Sequence, residues 1–101
     1  SMIIDVWSWP FAPGSGHKAM DFLKRVAQHH TSQGIISRLL SPSNGFLNKV
    51  FFESEYESLA AMEKYMNSFF KSDAWKDFDS EEWGDLFVID RLERYQLTVV
   101  E

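Results

Sequence analysis

The chain has 101 residues, 10 of them basic and 15 acidic for a formal charge of −5; 45% are hydrophobic and 16% aromatic, enough apolar material for the core of one domain over residues 1–101. Cysteine is absent, which excludes disulfides, thiolate metal sites and cysteine nucleophiles, and ten of the fifteen acids fall between Glu53 and Asp85 against only Lys64, Lys71 and Lys76, a distribution that argues against nucleic acid as a partner. No apolar run approaches the roughly 20 residues of a membrane span and no basic-then-apolar leader opens the sequence, so a cytoplasmic protein off the membrane is expected, with Ser1 set aside as a residue left by tag removal.

Met2 to Trp9 is β-branched and aromatic, and Pro10-Phe11-Ala12-Pro13-Gly14 halts it, which predicts a first strand and a loop. Ser15 offers an oxygen to cap a helix, and Ala19, Phe22, Leu23, Val26 and His30 recur at steps of three and four until Gly34, so the helix spans about Gly16 to Ser32. Ile35 to Leu40, the turn Ser41-Pro42-Ser43-Asn44-Gly45 and Phe46 to Glu53 read as a hairpin. Ser54-Glu55-Tyr56-Glu57 has the capping-box pattern ahead of Leu59, Met62, Met66, Phe69 and Phe70, which predicts a second helix from about Glu55 to Phe70. Ser72 or Asp73 caps a short continuation through Trp75 and Phe78, Asp79 to Gly84 is turn-like, and Asp85 to Val100 closes the chain as one strand or two pieces of strand.

The resulting order, β-α-β-β-α-β, is an α+β, ferredoxin-like plan: a four-stranded antiparallel sheet with two helices on one face. Neither parity of the strands is cleanly polar. Ile4, Val6 and Ser8 alternate with Ile3, Asp5, Trp7 and Trp9, and Val50 and Phe52 alternate with Lys49, Phe51 and Glu53, so both faces ask for cover. A second copy of the chain covers the free face with one self-complementary surface, and a homodimer is expected.

The segment FFESEYESLAAMEKYMNSFFKSDAWKDF resembles the strand-helix stretch of the dimeric α/β-barrel superfamily, in particular its antibiotic-biosynthesis-monooxygenase-like branch, and the element order extends the resemblance over nearly the whole chain. The resemblance implies two sheets packed face to face in a dimer, with a small-molecule pocket between sheet and helices or near the seam. Many relatives carry a histidine in the second helix, about where Ala60-Ala61-Met62-Glu63-Lys64-Tyr65 puts Tyr65; this helix has none. The superfamily holds cofactor-free oxygenases, cyclases, haem degraders, dismutating enzymes and proteins with no known activity.

His17, His29 and His30 are the whole histidine supply. The last two are adjacent at a helix end, where imidazoles complement the dipole and cannot converge on one metal ion, so neither a metal nor a cofactor is expected. His17 follows the Gly14-Ser15-Gly16 loop, where a pocket mouth would open; GSG lacks the remainder of any phosphate-binding fingerprint, and no serine sits in a Gly-x-Ser-x-Gly setting. Asp79, Glu81, Glu82 and Asp85 lack calcium-loop spacing. The informative residues are charges inside apolar strands: Asp5, Arg38, Lys49, Glu53, Asp90 and Arg91. If the two central strands present Asp5, Trp7, Lys49, Phe51 and Glu53 on one face, these make a pocket with an aromatic floor and convergent charges; the competing reading is an ion-pair network in a dimer interface. Trp75, Phe78 and Trp83 form either core and dimer seam or a lid over a ligand. The expectation is therefore a small-molecule-binding homodimer, with Trp7, Lys49, Phe51 and Glu53 as ligand contacts and His17, Asp5 and Arg38 as catalytic candidates. It would be a monooxygenase-like or cyclase-like enzyme on a hydrophobic substrate, aromatic or polyketide-like, or else a non-catalytic binding or structural protein of the same fold.

Overall fold

The computed structural model describes residues 1–45 and 48–101. In chain order it contains β1 (Ile3–Pro10), α1 (Gly16–Ser32), β2 (Ser37–Leu40), β3 (Lys49–Tyr56), α2 (Leu59–Phe70), α3 (Asp73–Ser80) and β4 (Glu93–Thr98). The strands pair antiparallel in the order β2-β3-β1-β4, which is the ferredoxin-like arrangement. Among the described residues no helix is long and apolar enough to cross a membrane.

The α1 helix forms where its apolar spacing places it, and Gly34, at φ +85°, closes it in the left-handed region that an L side chain resists. Its start differs from the sequence reading. Ser15 makes no side-chain cap; its hydroxyl instead reaches the carbonyl of Asp85, 3.4 Å away. The second helix also begins later than the capping-box pattern suggests. Ser58 is the cap, accepting from the Ala61 amide at 3.1 Å, while Ser54 to Tyr56 extend β3, because a full ladder with β1 runs from Lys49 opposite Pro10 to Tyr56 opposite Ile3. Ser72 caps α3 through the Trp75 amide at 3.2 Å, as its position predicts, and the helix runs on to Ser80. The closing segment is mostly not strand: Trp83–Asp85 and Ile89–Arg91 are 3-10 turns, so the charges of Asp90 and Arg91 lie on a turn and only Glu93–Thr98 joins the sheet. Phe46 and Leu47, the expected start of the second hairpin strand, lie outside the described residues.

Register decides which side chains share a face. In an antiparallel pair, residues directly opposite point to the same side. Asp5 stands opposite Ser54 and Gln96, Trp7 opposite Phe52 and Arg94, and Trp9 opposite Val50, so this set looks toward the helices. Ala19, Phe22, Leu23 and Val26 of α1 bury against Val50 and Phe52, together with Phe69 of α2 and Phe87 of the closing segment. The other face carries Ile4, Val6, Ser8, Phe51, Glu53, Tyr95 and Leu97, with Lys49 bonded to Glu93 at 2.6 Å and Arg38 to Glu53 at 2.9 Å along its edges. Tyr95 and Leu97 stand 40% and 49% exposed there, an apolar surface that the helices, packed on the other face, do not cover.

Candidate functional site

Between the helices and the inner face of the sheet lies a cavity of about 330 Å³. Its floor is Trp7 and Trp9 of β1 with Phe52, Ser54 and Tyr56 of β3; α1 supplies Phe22, Val26 and His30, and α2 supplies Met66 and Phe69. Trp75, Trp83, Phe87, Ile89 and Leu92, all from the segment after α2, close the remaining side. That segment is held by backbone bonds from Ala12 to Leu86 at 2.9 Å and from Val88 to Pro10 at 3.0 Å, and by a two-pronged ion pair of Arg25 on Glu81 at 2.6 and 2.7 Å. Packed rings of this kind give flat walls: Trp7 and Trp9 stack with centroids 5.8 Å apart at 25°.

One polar locus is the carboxylate of Asp5, 1% exposed. Its Oδ1 accepts from Arg94 Nε at 3.1 Å and Gln96 Nε2 at 2.9 Å, and its Oδ2 accepts from Arg94 Nη2 at 3.0 Å and Trp7 Nε1 at 2.9 Å. Two donors on each oxygen fill its acceptor capacity, which is how a carboxylate tolerates burial. The Arg94 guanidinium also lies 4.2 Å from the centroid of the Trp7 ring. This cluster orients a cavity wall, and its carboxylate has no lone pair left for a ligand.

The second locus is His30, buried at 4% exposure, with Nδ1 2.5 Å from the hydroxyl of Tyr65 on α2. The ring packs edge-on against Phe69, centroid to centroid 4.6 Å, and against Phe52 at 5.7 Å. Burial, aided by the neighbouring His29, lowers the imidazole pKa to about 4, and burial pushes the Tyr65 phenol up to about 12, so at neutral pH the pair is an uncharged imidazole and an un-ionised phenol. Tyr56, also lining the cavity, is held above its ordinary value by burial and donates to Met66 Sδ at 3.6 Å.

The structure separates the residues singled out in the sequence. Asp5 and Trp7 line the cavity. Lys49, Phe51 and Glu53 do not share their face: the register puts Phe52 opposite Trp7 and Ser54 opposite Asp5, one residue out of step with the assumed pairing, so these three look to the outer side of the sheet. His17 is exposed on the first turn of α1, beside Lys18 and Asp21 in a surface depression. Arg38 lies on the outer face with its side chain 59% exposed. His30, assigned to the helix dipole in the sequence, turns into the core instead; its place in the Ala19-Phe22-Leu23-Val26-His30 stripe is the signal that announces this. Tyr65 sits one turn from Met62 and Phe69 on the apolar side of α2, whereas Arg94 and Gln96 give no signal until strand register is known. Among the described residues no group of three or more histidine, aspartate or glutamate side chains is placed to hold a metal ion.

No protein-family model and no curated protein matches the chain. Solved structures do. A NIPSNAP family protein from Agrobacterium tumefaciens superposes with a TM-score of 0.82 at 16% identity, covering 100% of this chain and 95% of its own. A NIPSNAP domain protein from Burkholderia xenovorans gives a TM-score of 0.80 at 13% identity, with 97% and 94% covered. A protein from Bacteroides thetaiotaomicron named as a candidate antibiotic biosynthesis monooxygenase gives 0.74 at 15% identity, with 100% and 91% covered. At these identities the common ground is the ferredoxin-like fold, and the chain is similar in architecture to both groups.

Proposed function

We propose that the protein is a cytoplasmic, small-molecule-binding homodimer whose subunits each hold a hydrophobic ligand between the sheet and the helices, for monooxygenase-like or cyclase-like chemistry without a cofactor. The observation that carries this reading is the cavity of about 330 Å³, walled by aromatic side chains and lined by His30 and Asp5. An aromatic chamber with few polar groups is the usual form of a small-molecule site. The apolar outer face of the sheet, with Tyr95 and Leu97 exposed, supports the dimer. Titration of the protein with a panel of flat aromatic compounds and aromatic polyketides, followed by tryptophan emission, tests the reading. Saturable quenching by panel members that compete with one another supports it, and emission unmoved across the panel overturns it.

A non-catalytic binder is favoured by one specific observation: the charges at the cavity satisfy each other, since Asp5 takes four hydrogen bonds from Arg94, Gln96 and Trp7. This leaves the His30–Tyr65 pair as the acid–base group nearest the ligand space. Turnover of a bound panel compound that is abolished in His30→Gln separates the enzyme from the binder, in which compounds bind and leave unchanged.

A further inference from the structure

We propose that the cavity selects an uncharged, flat aromatic ligand carrying a carbonyl oxygen, and that this oxygen accepts a hydrogen bond from Nε2 of His30. The inference rests on the reading of the cavity as a ligand site and names the ligand class that this site takes.

The Nδ1 atom of His30 is occupied by the Tyr65 hydroxyl at 2.5 Å. A phenol is a better donor than acceptor, and an un-ionised phenol beside a neutral imidazole donates a hydrogen bond to the unprotonated ring nitrogen, so the imidazole hydrogen is assigned to Nε2. Among the described residues Nε2 has no hydrogen-bond partner, and the one side-chain polar atom both fully enclosed and unpartnered is Ser8 Oγ. With the ring 4% exposed and lining the cavity, the space open to Nε2 is the cavity. A ligand that fills the cavity shuts this N–H off from solvent, and the donor is then costly to leave unmade unless the ligand brings an acceptor.

Charge excludes the alternatives. Arg94 is committed to Asp5 and lies over Trp7, and among the described residues no lysine or arginine lines the cavity. An anion would therefore be desolvated without a counter-ion. A cation would find, among the described residues, no lining carboxylate but Asp5, whose two oxygens already accept two bonds each, and the Trp7 face that could stabilise it already carries Arg94. The stacked Trp7 and Trp9, with Phe52 and Phe69 flanking His30, favour a planar ring system over a branched aliphatic one.

Three probes of nearly one shape decide it by calorimetric titration of the full chain: 2-acetylnaphthalene, its hydrocarbon counterpart 2-isopropenylnaphthalene, and 2-naphthoate. The ketone is expected to bind about tenfold tighter than the hydrocarbon, the carboxylate at least about tenfold weaker than the ketone, and the ketone's advantage should vanish in His30→Phe while the hydrocarbon still binds. Should the variant not fold, the ring nitrogens of His30 in the unaltered protein give the answer by long-range ¹H–¹⁵N correlation: Nε2 carries the proton and shifts on ketone addition, and an Nε2 that is unprotonated or unmoved overturns the proposal. Equal affinity for ketone and hydrocarbon, or tightest binding of the naphthoate, also overturns it while leaving the cavity a ligand site. If no probe binds, the cavity reading itself falls and takes the proposal with it.

Discussion

Arg94 is bound to Trp7 twice over: its guanidinium carbon sits 4.2 Å from the indole centroid, and both side chains donate to Asp5. The arrangement joins edge strand β4 to central strand β1 through an anion that is 1% exposed. Arg94→Ala would strip two of four donors from that carboxylate and uncover the indole face. Because the guanidinium is itself 32% exposed, the loss is discounted from that of a wholly buried pair, and destabilisation of about 2 kcal/mol is expected in guanidinium melts. Arg94→Lys should recover only part of it, since one ammonium cannot reproduce the Nε and Nη2 fork while stacking on a ring. Equal stability of all three proteins would show that Gln96 and Trp7 suffice for Asp5.

Trp7 itself is a wall of the cavity and the partner of Trp9 at 5.8 Å. Replacing it by alanine removes stacking area, and affinity for any flat ligand of the chamber should fall by about 1 to 3 kcal/mol with the mass in solution unchanged. Unaltered affinity would move the ligand elsewhere, toward the surface depression beside His17.

What the sequence reveals and what it hides follow from the range of the interactions. Periodicity is local, so α1 is legible to the residue from its apolar stripe and Gly34, and Ser72 is legible as a cap. Ser54 is not: it fits a capping box as well as Ser58 does, and only the ladder with β1, which pairs it with Asp5, keeps it in the strand. The site depends on register even more strongly. Asp5 and Trp7 stand out as a charge and an indole in a hydrophobic strand, yet a register displaced by one residue exchanges Phe52 and Ser54 for Phe51 and Glu53 and turns the assumed pocket inside out. Arg94 is separated from Asp5 by 89 positions, and nothing in the spacing of either announces the pair. His30 was within reach, because a histidine continuing an apolar helical stripe is a buried histidine, and a buried histidine needs a partner such as Tyr65.

The outer sheet face yields a test of assembly. Phe51, Tyr95 and Leu97 lie there with Val6 between them, and two copies packed through this face would bury them. Leu97→Glu places a charge at a position 49% exposed in the monomer, where it is harmless to a lone subunit and would be desolvated in a dimer. Sedimentation equilibrium at micromolar concentration is expected to show twice the chain mass for the unaltered protein and the chain mass for the variant, with the far-ultraviolet dichroism of both alike. A single chain mass for the unaltered protein would remove the dimer. Phe51→Glu, half-buried already in one subunit, should cost stability as well as association.

The buried imidazole makes stability depend on pH between about 6.5 and 4. His30 is neutral in the folded protein with a pKa of about 4, against about 6.5 for an exposed histidine in the unfolded chain. A lowered pKa means that the unfolded state binds the proton more readily, so the contribution is complete above pH 6.5 and declines as pH falls from there toward 4. The difference between those values corresponds to about 3 kcal/mol at the lower end. The carboxylate of Glu81, held below its ordinary value chiefly by its hydrogen bonds from Arg25, loses its contribution as pH falls below that ordinary value of 4.5. Urea melts at half-unit steps from pH 7.5 to 4 should therefore show midpoints falling most steeply between about 6 and 4.5, around the middle of the two values, and His30→Gln should flatten that slope while leaving the carboxylate decline at the acid end in place. A slope that is the same in both proteins would mean that the imidazole is charged, or its proton shared with Tyr65, in the folded state.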